Sequence, residues 1–252
     1  MTRIGVQLYS LRETVGTLPE LLERIGETAF EGVEFAHRYG NSSSTAIAAA
    51  LERADLTALG AHVGFDPMES EPEKLLAEYE PVDCSRFVLP HVPRTEFETA
   101  DSVTDLISRL NKAGTALDSV GASFQYHNQA HDFLAVEGRR AFDRLIEETN
   151  EEVTFELDVG GAVTAGVDPV TLIETYGDRI PLVHVKDVSV PEPSPVATQQ
   201  CVPIGTGDVD LETVATAAME AGVEWLVYEN DDPEDPVQAL ERGERTLEKL
   251  VD

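Results

Sequence analysis

Lysine occurs only four times in these 252 residues, at Lys74, Lys112, Lys186 and Lys249. With arginine the basic total reaches 18, against 48 aspartates and glutamates, a formal net charge of −30. A chain this poor in cations lacks the groups that neutralise a phosphodiester backbone, so no nucleic-acid partner is expected. Cysteine is scarcer still: Cys84 and Cys201 are too few for a disulfide scaffold and lack the spacing of a thiolate metal site. No apolar run reaches the roughly 20 residues of a membrane span. The opening MTRIGVQLYS enters a strand-like pattern at once, without the basic-then-apolar order of a secretion signal. Together these absences predict a cytoplasmic protein with no membrane partner.

The carboxylates are spread through the helical segments, which makes them a solvated coat and not an acidic arm. Such a coat with so little lysine is a composition associated with salt-loving organisms, where concentrated salt screens self-repulsion. Beneath it, short β-branched apolar runs alternate with longer segments of helical period, the pattern of βα units around a parallel sheet. The strand candidates are RIGVQLY, GVEFA, ALGAHV, RFVLPHV, ASFQYHN, VTFELDV, IPLVHVKD and EWLVYEN. Helix candidates include LPELLERIGETA, STAIAAALERA, TADSVTDLISRLNKAGTAL, GRRAFDRLIEETN, DPVTLIETYG and LETVATAAMEAG, with a shorter ESEPEKLLAEYE after the third strand. Eight strands in this length predict an α/β fold, one (β/α)8 TIM-barrel domain over residues 1–252. The Pro-rich stretch from Val188 to Asp210 predicts an extended loop after strand seven, of the kind that serves as a lid. Cys201 lies in that upper loop and Cys84 at the lower end, too far apart to bridge.

The six histidines, His37, His62, His91, His127, His131 and His184, all fall at or just after the C-terminal ends of predicted strands. That is the end where barrel enzymes build their sites. Glu156 and Asp158 share one face of strand six because side chains alternate with period two, and Glu229 ends strand eight. Carboxylates on buried strands cost several kcal/mol unless paired or bound to metal, and a divalent cation would resolve that cost. His184 and Lys186 are two apart and project from the same face of strand seven. One can ligate a metal while the other reaches an oxyanion, or Lys186 can pair with Glu156 or Asp158 to neutralise the core.

In order along the chain, IGVQLYSLRE, GVEFAHRYG, YHNQAHDF, ELDVGGAVTAGVDP, HVKD, PIGTGDVD and VYEND resemble the strand motifs of the sugar phosphate isomerase/epimerase family. That family belongs to the xylose isomerase-like TIM-barrel superfamily, which also includes endonuclease IV. The resemblance implies a metal site of Asp158, His184 and Glu229 with a fourth ligand from strand five. The family's YHNH reads His127, Asn128, Gln129 at this point, and its following glutamate is Asp132. His127, at the strand end, is the preferred fourth ligand, with Asp132 as the alternative. The tryptophan often found after the sixth-strand aspartate is Gly161 here, which is expected to reshape the sugar pocket.

The implied cofactor is one divalent ion, Mn2+ favoured, with Mg2+, Co2+ or Zn2+ also compatible with mixed O/N ligation. The implied reaction is metal-dependent isomerisation or epimerisation of a sugar or keto-sugar through a metal-stabilised enediolate. An inosose-type dehydratase with the same site and a non-catalytic sugar-binding barrel are the alternatives. Endonuclease activity would need basic phosphate-binding loops that the chain lacks. Expected catalytic residues are Glu156 or Glu229 as base, His62 as relay and Lys186 at the oxyanion. Tyr9, Glu34, His91, Asn128 and Gln129 are expected to line the pocket for a small sugar or polyol. Gly205 to Asp208, GTGD, is a candidate phosphate loop, and a homo-oligomer is compatible with the chain.

Overall fold

The computed structural model describes residues 2–251. Eight parallel strands close into a barrel: β1 (Arg3–Gln7), β2 (Gly32–Phe35), β3 (Thr57–His62), β4 (Arg86–Leu89), β5 (Ser123–His127), β8 (Val153–Asp158), β9 (Leu182–Val185) and β10 (Trp225–Tyr228). A two-stranded antiparallel ribbon, β6 (Ala135–Val136) and β7 (Arg139–Arg140), lies outside it. Around the barrel run α1 (Leu18–Ile25), α2 (Ser44–Ala54), α3 (Phe65–Ser70), α4 (Pro72–Tyr79), α5 (Ala100–Asp118), α6 (Ala141–Glu148), α7 (Val159–Thr164), α8 (Pro169–Tyr176), α9 (Leu211–Glu220) and α10 (Pro236–Val251). This is the (β/α)8 architecture that the strand count predicts. The ribbon, the short α3 and α7, and the final α10 go beyond the sequence expectation.

Local chemistry sets the boundaries. β4 stops at Leu89 because Pro90 has no N–H for the ladder. Thr17 and Glu20 form a reciprocal capping box that opens α1. In α5, Val103, Leu106, Ile107, Leu110, Ala113 and Leu117 are buried at three- and four-residue spacing, one stripe facing the sheet. Asp168 and Asp210 cap α8 and α9 with their carboxylates. Among the described residues no helix is long and apolar enough to cross a membrane.

Alternation divides each strand between two environments. On β9, Val183 and Val185 pack outward under the helices, while Leu182 and His184 face the barrel axis. Leu182, Trp225, Val227 and Leu59 form a separate apolar plug at the lower end, and Arg3 stacks over the Trp225 ring at 3.8 Å. Burying each such large side chain contributes roughly 1.5–3 kcal/mol. Above the plug the interior turns polar, with buried Gln7, Glu34, Gln125, His127, Glu156, Asp158, His184, Lys186 and Glu229. A packed apolar floor thus carries a charged upper interior.

Candidate active site

The polar interior has two levels, and two histidines connect them. At the lower level Glu156 Oε1 lies 2.7 Å from His127 Nδ1, 2.9 Å from His184 Nε2 and 3.3 Å from His62 Nε2. Glu34 Oε2 approaches His184 Nε2 at 2.8 Å and accepts from Gln7 Nε2 at 2.6 Å. The opposite nitrogens of the same rings face upward: His184 Nδ1 is 2.9 Å from Glu229 Oε2, and His127 Nε2 is 3.9 Å from Asp158 Oδ2. Glu156 and Glu34 therefore fix the imidazoles from beneath.

Lys186 occupies the upper level. Its ammonium is 2.7 Å from Glu229, 2.9 Å from Asp231 and 3.1 Å from Asp158, with 3% of the side chain exposed. Of the two expected partners, Asp158 is engaged and Glu156 is not, because Glu156 stands one residue pair lower on its strand and is held by the histidines; Glu229 and Asp231 complete the set. Asp158 also caps α7: its Oδ1 accepts from the N–H groups of Gly160 and Gly161 at 2.8 and 3.1 Å. The cap fixes the carboxylate and leaves Oδ2 toward Lys186.

These contacts reverse what burial alone would do. Burial opposes the charge of His184, yet Glu156, Glu229 and Glu34 outweigh it and hold the imidazolium well above the ordinary histidine range. His62 is likewise pushed up to about 10, its burial overcome by Glu34 and Glu156. Glu156 and Glu229 are held well below the usual carboxylate range, because their cationic neighbours outweigh desolvation. Lys186 is raised well above a free lysine, with Asp158, Glu229 and Asp231 overcoming its burial.

Several expected pocket residues have other partners. Both ends of the Asn128 side chain are taken by the Asp158 backbone, at 2.9 and 3.2 Å, so it clamps β8 to β5. Glu34 is fully buried at the lower level and does not line an open pocket. Gln129 is half-buried and donates to Pro90 O, His91 is exposed beside the His131 ring, and Tyr9 is half-buried under the Arg12 guanidinium, 4.2 Å away. Asp132 is turned away from the histidine cluster: it accepts from Tyr126 Oη at 2.6 Å and the Gln129 N–H at 3.0 Å. Its burial pushes it up to about 8 despite those two donors.

The GTGD segment is not a free phosphate loop. Asp187 Oδ2 accepts from the N–H groups of Gly205, Thr206 and Gly207 at 2.8 to 3.0 Å, so the chain's own carboxylate fills that concavity. The space opened at Gly161 is bordered by Asn128, and that at Gly160 by Gln199 from the long loop. Asp231, Asp187, Gln7 and Gln199 were outside the sequence expectation. Asp231 carried a local signal in its place just beyond Glu229 at the end of strand eight, and Gln7 in its polar side chain on strand one.

A divalent cation suits this donor set. Ligand atoms of His127, Asp158 and Glu229 lie within 4.8 Å of one another, as do those of His62, His127, Glu156 and His184. Three carboxylates face the Lys186 ammonium and the upper nitrogen of His184, which leaves the upper level with an excess of negative charge. Buried Glu34 Oε1 and Glu156 Oε2 also have no hydrogen-bond partner, and unpaired buried oxygens of this kind call for a cation or a donor.

A model of the xylose isomerase-like TIM barrel family matches residues 20–250. The chain belongs to that family. It is 29% identical to an inosose dehydratase of Clostridium tetani over 154 residues, 56% of this chain and 50% of the relative. The match thus spans about half the length of that curated relative. A sugar phosphate isomerase/epimerase from Parabacteroides distasonis has the same fold, with a TM-score of 0.82, 21% identity and full coverage of both chains. The IolI protein, solved with a zinc atom, superposes with a TM-score of 0.78 at 13% identity, covering 99% of this chain and 98% of that one.

Proposed function

We propose that the protein catalyses proton transfer at the carbon beside the carbonyl of a keto-sugar or related keto-polyol, giving an isomerised or epimerised product. The observation that carries this reading is the buried Lys186 ammonium among Asp158, Glu229 and Asp231, directly above histidines oriented by Glu156. Asp158, His184, Glu229 and His127 would hold the ion, His184 giving up its extra proton on binding, with Mn2+ the proposed metal. When bound, it supplies Lewis-acid polarisation of the ketone and its neighbouring hydroxyl.

The chain's own groups divide the remaining work. Lys186 donates to the substrate oxygen on which negative charge develops, from a site already dry and fixed. Glu229 takes the carbon-bound proton; Glu156, fully buried with its contacts to three imidazoles, positions those rings instead. His62, charged and at the edge of the cluster, places a substrate hydroxyl. Return of the proton from Glu229 to the neighbouring carbon isomerises, and protonation of the original carbon from the opposite face, by water or a second acid, epimerises.

A second reading, dehydration of an inosose, is supported by the inosose dehydratases among the relatives. It shares the first proton transfer and departs only when a β-hydroxyl leaves. Incubating the metal-loaded protein in D2O with keto-sugars and inososes tests both readings by NMR. Deuterium beside the carbonyl supports the proton transfer, and an enone absorbance selects dehydration. No exchange and no enone at saturating substrate would reject both.

A further inference from the structure

The connection between β9 and α9 crosses the mouth and is tied down at its base. Besides the three N–H groups of Gly205, Thr206 and Gly207, the Asp187 carboxylate accepts from Val188 N at 3.0 Å and Val209 N at 3.3 Å, and Asp187 is 2% exposed. A Cβ on Gly207 would stand 2.3 Å from Asp187 Oδ1, so the loop closes on the carboxylate with no space to spare. The backbone carbonyl of Asp187 takes the Val202 N–H at 3.0 Å, and Val188 pairs with Cys201 across the loop.

What this anchoring delivers is Gln199. Its amide nitrogen lies 3.4 Å from Asp158 Oδ2, a long contact, and 2.7 Å from where a Cβ on residue 160 would stand. A side chain at 160 would push the amide out of this position. Between the loop and the barrel is a cleft of about 140 Å³, bordered by Arg94, Gln129 and His131 on one side and Val196 and Gln199 on the other. A primary amide offers a donor and an acceptor together, the pair that a polyol hydroxyl requires.

We propose that the connection from Val188 to Asp210 is a substrate-contacting strap, in which Asp187 is the pin and Gln199 the group that recognises a substrate hydroxyl. This deepens the proposed function and rests on it for the identity of the substrate as a polyol. It also assigns the Gly205–Gly207 N–H groups to the pin, so substrate phosphate is not bound there.

Calorimetry with myo-inositol, which has no ketone to react, reads the contact in metal-loaded protein. Gln199→Ala should weaken its binding by about five- to tenfold, the effect of one neutral hydrogen bond, with metal content and backbone amide exchange unchanged. Asp187→Asn should speed amide exchange at Gly205, Thr206 and Gly207 and weaken myo-inositol similarly. If Asp187→Asn fails to fold, Gly160→Ala tests the strap from the other side by displacing the Gln199 amide, with the same expected loss. Unchanged affinity in Gln199→Ala overturns the recognition role, and unchanged exchange in Asp187→Asn overturns the pin. Protection of the Gly205–Gly207 amides by inorganic phosphate in the wild type overturns the assignment of those groups. Failure of the wild type to bind any polyol removes the strap's contact and the proposed function together. Polyol binding without deuterium exchange removes the reaction alone.

Discussion

Lys186 sits where removal of one charge strands three. With its ammonium replaced in Lys186→Met, Asp158, Glu229 and Asp231 face one another around an apolar stem. Breaking a buried ion pair costs about 3–5 kcal/mol because the partner charge is left uncompensated. Urea unfolding of metal-free protein should show a loss of that order, and added Mn2+ should recover part of it by neutralising the same carboxylates. Deuterium exchange should fall by about a hundredfold or more, the usual effect of losing an oxyanion donor. Normal stability with full exchange would remove both roles. The strand-five alternatives separate by metal analysis: His127→Ala should lose bound ion, whereas Asp132→Ala should retain it, because Asp132 faces Tyr126. The reverse ranking would transfer the ligand role. Asp132 has its own signature in pH. Its folded value of about 8 stands above the unfolded value of about 3.8, so the native state binds the proton more tightly. The stabilisation is complete below about pH 4 and is lost as pH rises toward 8. Asp132→Asn should therefore remove a slope of up to about 1.4 kcal/mol per pH unit across that window. Parallel wild-type and variant stability curves would contradict the raised value.

At the scale of elements, alternation made the barrel readable. Eight runs became eight strands, and period-two counting put His184 with Lys186 and Glu156 with Asp158 on inward faces. Parity fixes the face but not the height. Glu34 and Glu156 lie beneath the histidines because of how strands stagger around the barrel, including a register shift between Val33 and Glu34, which no single strand encodes. Contacts across loops, such as Asp187 to Gly205 or Gln199 to Asp158, join segments whose spacing carries no period. The long loop itself was legible from its prolines, whereas its anchoring was not. Helix α10 illustrates how packing can overrule propensity. Gly243 lies inside it, where alanine is ordinarily favoured by about 0.8–1.0 kcal/mol. Yet a Cβ there would stand 2.6–2.7 Å from the Tyr228 ring, and that ring occupies the outward face of β10 next to Glu229. Overpacking costs about 1–3 kcal/mol, so Gly243→Ala should lower the unfolding midpoint. A raised midpoint would mean that helix and ring separate freely.

For the whole molecule, a net charge of −30 sets carboxylate against carboxylate over a surface with few cations. The exposed ion pairs that exist, such as Arg53 with Glu23 or Arg139 with Glu147 and Glu148, are each worth about 0–1 kcal/mol and weaken in salt. Repulsion among the unpaired remainder is also screened: the Debye length falls from about 10 Å at 0.1 M to about 3 Å at 1 M. The two effects oppose each other, and 48 acidic against 18 basic residues decides for repulsion. The interior pairs of Lys186, His127 and His184 are shielded from salt by burial and change little. Raising KCl from 0.1 to 2 M should therefore raise the thermal midpoint of metal-saturated protein, steeply at first and then more gradually as the Debye length drops below the spacing of surface charges. Metal saturation holds the ion linkage constant, so the curve reads the coat and not the site. A midpoint that fell across this range would mean that the surface ion pairs, not the excess carboxylates, dominate the folded state's electrostatics.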